Sequence, residues 1–106
     1  MSSWYPGDSD EAEAYHAINQ MPTYEQLVQE LLVLAASFVA AHQYEKHGKA
    51  ANYAAASELL AGFIGTFIDM MVETKGSKYI DKGSVKRDAR AQTEAKLIEM
   101  GEFPDE

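Results

Sequence analysis

Two stretches of this chain are apolar at almost every position, and this restricts the fold more than any other feature. Leu31, Leu32, Val33 and Leu34 are consecutive, and Phe38, Val39, Ala40 and Ala41 follow. The second stretch holds Leu59, Leu60, Phe63, Ile64, Phe67, Ile68, Met70, Met71 and Val72. Successive residues of a helix lie about 100° apart, so four apolar residues in a row cover most of its circumference. Such helices need neighbours on several sides. No segment shows the period-two alternation of a half-buried strand.

The signals at the ends of these stretches predict an all-α chain. Ser9 caps a short helix over residues 9–20, with Asp10, Glu11 and Glu13 at the end where the helix dipole favours acids. Pro22 stops it, and Thr23 with Gln26 forms a capping box for a long second helix over 23–47. Gly48 supplies the left-handed residue that ends that helix. A third helix covers about 50–75 and ends at Gly76. The short link predicts that the second and third helices pair as an antiparallel hairpin. Ser84 caps a fourth helix, which runs to Met100 and is closed by Gly101. With 106 residues the chain forms one helical domain, with an irregular start over 1–8 and a tail over 102–106.

The two end helices are short and weakly amphipathic, so the apolar surface of the hairpin exceeds what one chain can cover. A homo-oligomer is expected to complete the bundle, with Leu31, Leu34, Phe38, Phe63, Phe67 and Met71 at its interface. Gly62 and Gly65 lie inside the third helix, where each costs about 1 kcal/mol relative to Ala. Close approach by another helix is the expected compensation.

Charge is distributed unevenly. Nine Lys plus Arg oppose 17 Asp plus Glu, for a net charge of −8. Residues 1–45 contain seven acids and no Lys or Arg. That half repels nucleic acid and anionic membranes. No secretory signal is visible at the start, and both apolar runs lack basic flanking anchors. A cytoplasmic protein without membrane contact is expected.

The residue inventory argues against catalysis. The chain has no cysteine, which removes disulfides, thiolate metal sites and cysteine nucleophiles. Glu13 and His16 form the one Glu-x-x-His pair, where a carboxylate-bridged di-metal bundle uses two with further carboxylates. No phosphate loop, dinucleotide fingerprint or nucleophile elbow is present. No catalytic residue, metal or cofactor is therefore expected.

Two segments carry the candidate binding residues. Lys82, Gly83, Ser84, Lys86, Arg87 and Arg90 gather at the start of the last helix, where free N–H groups and cations suit a phosphate ligand such as a nucleotide, a cyclic oligonucleotide or nucleic acid. The competing reading is a solvated basic turn that neutralises acids on a neighbouring helix. Trp4 and Tyr5, beside Asp8, Asp10 and Glu11, form an aromatic and acidic segment suited to anchoring a protein partner. The competing reading there is that both rings pack back on the bundle. The first functional expectation is a non-enzymatic, homo-oligomeric interaction protein that binds and inhibits a protein partner. Its general character resembles that of small viral or mobile-element accessory proteins. The alternative is the phosphate-ligand binder.

Overall fold

The first, third and fourth helices begin where a side chain takes over backbone N–H groups that the helix itself leaves without acceptors. The computed structural model describes residues 4–20, 29–75 and 80–103. Among them all regular structure is helical: α1 spans Asp10–Gln20, α2 Gln29–His47, α3 Tyr53–Lys75 and α4 Lys82–Glu99. The Ser9 hydroxyl accepts the Ala12 N–H at 3.1 Å and starts α1. Asn52 does the same for α3, its carboxamide oxygen accepting the Ala55 N–H at 2.8 Å. This cap sets the start of α3 at Tyr53, three residues later than expected. The Pro22 stop, the Thr23 capping box and the Gly76 stop fall outside the described residues.

One expected cap is corrected. Ser84 was assigned the N-cap of α4, but that role belongs to Asp81, whose carboxylate accepts the Ser84 N–H at 3.1 Å. The helix thereby starts three residues earlier, at Lys82, and Gly83 and Ser84 lie inside it. The C-terminal glycines act as predicted. Gly48 follows α2 at φ +96° and Gly101 follows α4 at φ +65°, both left-handed conformations that a Cβ disfavours.

The bundle is built around α2, which packs against α1, α3 and α4, and α3 packs against α4 as well. Leu32, Ala35, Ala36, Ala40, Ala41 and Tyr44 of α2 are buried. That arrangement satisfies the all-round apolar circumference of α2 within a single chain. The opposing layer comes from Leu60, Ile64, Phe67 and Ile68 of α3, with Val85, Ala89 and Leu97 of α4 and Ile18 of α1. The small residues of α2 let its neighbours approach closely. Buried Ser37 and Thr93 return their hydroxyls to backbone carbonyls of their own helices, on Val33 at 2.9 Å and Ala89 at 3.0 Å.

The chain ends take more part in packing than expected. Trp4 and Tyr5 belong to the irregular N-terminus, yet they are 2% and 5% exposed and sit in the core. The expected tail also contributes. Phe103 is half-buried, and the Lys49 ammonium lies 5.1 Å from its ring centre.

Candidate functional site

Among the described residues large apolar side chains stay exposed at Met70 of α3 and at Ile98 and Met100 at the end of α4. Buried positions of α3, including Leu60, Ile64, Phe67 and Met71, recur at helical spacing on one side. The opposite side carries Glu58, Gly62, Thr66, Met70 and Glu73, all exposed. A groove of about 570 Å³ runs along this side, lined by Ala55, Glu58, Leu59, Gly62, Phe63 and Thr66. A second hollow of about 320 Å³ adjoins it, where Val39 and Gln43 of α2 meet Phe63, Thr66, Phe67 and Met70. A Cβ built on Gly62 or Gly65 would meet nothing within 4 Å. The expected close approach at these glycines is not made by any of the described residues.

This geometry redistributes the expected oligomer-interface residues. Phe67 and Met71 are 5% and 6% exposed and belong to the chain's own core. Leu31, Leu34 and Phe38 are half-buried and pack against that core, Phe38 beneath Tyr15 of α1 with ring centres 5.2 Å apart. Phe63 alone among the six lines the groove. Apolar periodicity marks which residues seek burial, and α1 and α4 supply that burial to α2.

At the start of α4 two of the basic residues meet one acid of α3. The Lys86 and Lys82 ammonium groups lie 2.9 Å and 3.5 Å from one carboxylate oxygen of Asp69. The hydrogen bond from Lys86, aided by the charge of Lys82, holds the Asp69 carboxyl below its ordinary range, against a smaller opposing effect of desolvation. Arg90 donates from Nε and Nη2 to the Ser57 hydroxyl at 3.2 Å and 3.1 Å, and Ser57 donates to Glu94. The Asp81 carboxylate occupies the N-terminal turn where an anion would sit. Gly83 and Arg87 are exposed, and Ser84 is half-buried beside the Gln29 side chain at 3.4 Å. Lys82 and Lys86 thus neutralise one acid of the adjacent helix, and Arg90 pairs with Glu94 of its own helix. Sequence reading missed the two polar clasps because Asp69 and Ser57 lie 13 or more positions from their partners in the chain.

The N-terminal aromatics face inward. Trp4 packs on Tyr44, with ring centres 5.4 Å apart. Tyr5 lies 5.5 Å beneath the Lys96 ammonium, and burial pushes its hydroxyl up to about 12. A surface anchor needs exposed rings, and these two serve the core. Asp8 and Asp10 are exposed, whereas Glu11 accepts a hydrogen bond from Gln92 of α4 at 2.7 Å. His16 of the Glu-x-x-His pair is exposed and leans toward Phe38, against which His42 stacks at 6.4 Å. Among the described residues no group of three or more His, Asp or Glu side chains could hold a metal ion.

Against known families, a family model described as Virulence factor CipC-like matches residues 13–100. The chain belongs to this family. The match covers all four helices apart from the first three residues of α1, so the CipC-like unit is the helical bundle itself. Trp4 and Tyr5 precede the matched region although they complete its core. Searches of curated proteins and of solved structures returned no match.

α3 is also long and apolar enough to cross a membrane by length and composition, over Tyr53–Thr74. A core helix passes the same test, and one side of α3 is part of this core.

Proposed function

We propose that this CipC-like chain is a small, non-enzymatic accessory protein of the virulence type, which self-associates and acts by binding, and so inhibiting, a protein partner in the cytoplasm. The observation that carries this reading is the set of exposed apolar side chains Met70, Ile98 and Met100, with a groove along α3 beside Leu59 and Phe63. Exposed contiguous apolar surface on a soluble protein marks an interaction site. The acids support a partner of opposite charge. Asp8, Asp10, Glu13 and Glu30 are all exposed, and such a surface speeds encounter with a basic target at low salt. The Lys82, Lys86 and Arg90 cations have partners within the fold, which leaves the phosphate-ligand alternative with less support.

Cross-linking and mass spectrometry in the native host test the reading, comparing wild type with an Asp10→Asn, Glu13→Gln, Glu30→Gln variant. The expected result is a protein with a basic contact surface whose yield falls in the variant and with added salt. An unchanged set of cross-linked proteins would overturn the assignment of the acidic surface.

A further inference from the structure

We propose that Met70 is a peroxide-modification site, whose sulfoxide is clasped across the seam between α2 and α3 by Gln43 and Thr66. Met70 and Met71 are consecutive in α3 but lie in opposite surroundings. Met70 is 48% exposed, whereas Met71 is 6% exposed and belongs to the core. A step of about 100° along the helix turns one thioether to solvent and the next inward. A peroxide in water therefore meets the first and not the second. The sulfur lone pair attacks one peroxide oxygen, and an S–O bond forms as the O–O bond breaks. The transferred oxygen gives its proton to the departing hydroxide. The thioether is oxidised to a sulfoxide, and hydrogen peroxide is reduced to water.

The surroundings of Met70 suit the product. Its side chain lines the hollow in which Gln43 of α2 and Thr66 of α3 also stand. Thr66 precedes Met70 by four residues, so the two share one helix face. Gln43 and Thr66 are both exposed and carry N–H and O–H donors. A thioether sulfur is a weak acceptor, whereas the sulfoxide oxygen is strongly polar. Oxidation thus replaces apolar contact with Val39, Phe63 and Phe67 by hydrogen bonds to both helices. The same oxygen on Met71 would place a polar group in the core, which is costly. Met70 is also one of the exposed apolar side chains named above, so its oxidation makes that part of the surface polar.

Purified wild-type chain is treated with hydrogen peroxide at neutral pH and digested with trypsin. Cleavage after Lys49 and Lys75 leaves both methionines in one peptide, residues 50–75, and its fragment masses locate the added oxygen. Met70 should be oxidised at least about tenfold faster than Met71, with the helical circular dichroism retained. Methionine sulfoxide reductases with a thiol reductant should reverse the change. A Gln43→Leu, Thr66→Val variant should be oxidised at Met70 as readily as wild type. Oxidation should lower its urea midpoint more than that of wild type, each measured against the matching Met70→Leu protein, which keeps the other methionines. Equal rates at Met70 and Met71 would overturn the site. Fast oxidation of Met70 with equal midpoint shifts in the two backgrounds would overturn the clasp. Neither outcome depends on a partner, so the binding reading above stands or falls separately.

Discussion

Replacing Trp4 by Ala should remove a large part of the stability of this protein, although Trp4 lies at the very start of the chain outside any helix. The side chain is 2% exposed and packs against Tyr44, while its backbone N–H reaches the Glu45 carboxylate at 3.4 Å. A large aromatic residue buries about 150–250 Å². At about 25 cal/mol per Å² this corresponds to roughly 4–6 kcal/mol, an upper figure because the unfolded chain already shields part of that area. Aromatic-to-Ala changes in cores cost about 3–5 kcal/mol. A domain of this size has about 5–15 kcal/mol in total. The expected loss for Trp4→Ala is therefore about 3–5 kcal/mol, read as a lower urea midpoint with little change in slope. Trp4 is the only tryptophan, so its fluorescence reports this contact alone. In wild type the fluorescence and circular dichroism transitions should coincide, which is the mark of one cooperative unit. A water-exposed emission in the native protein, a fluorescence change that precedes helix loss, or a cost below about 1 kcal/mol would refute the reasoning.

Other substitutions address single contacts. Tyr44→Phe keeps the ring against Trp4 but removes the hydroxyl that accepts the Ala50 N–H at 3.0 Å in the turn between α2 and α3. It should cost about 1–3 kcal/mol by thermal or urea unfolding, because a buried donor loses its partner. Ser57→Ala removes the hydroxyl between Arg90 and Glu94 and should cost about 0.5–1.5 kcal/mol, with most of the effect absent in an Arg90→Ala background. Asp69 has a lowered pKa, so its pairing with Lys86 contributes above the ordinary carboxylate range and is lost as the pH falls through the lowered value. The stability difference between wild type and Asp69→Asn should accordingly be largest near neutral pH, shrink in acid and diminish with salt. A difference that stays constant down to strongly acidic pH would contradict the ion pair.

The sequence by itself determined the helices and several of their ends. Ser9, Gly48 and Gly101 act through hydrogen bonds and dihedral preferences that involve residues only a few positions away, so their roles follow from composition and spacing. The apolar density of α2 and α3 equally determined that both helices join a core. The tertiary structure decided which of their faces would be covered. α2 became the centre because α1, α3 and α4 all pack on it, and among the described residues one side of α3 stays open. Trp4 found its place on Tyr44, 40 positions away, through burial that no local pattern encodes. Asp81 outcompeted Ser84 as the cap of α4, because its backbone is extended and its carboxylate reaches the Ser84 N–H. The basic run of α4 acquired its partners in the same way, since Asp69 and Ser57 approach it only once α3 and α4 are packed side by side. Local chemistry fixes how each segment is wound. Which charges are neutralised, and which side chains stay exposed, depends on the mutual placement of segments distant in the chain.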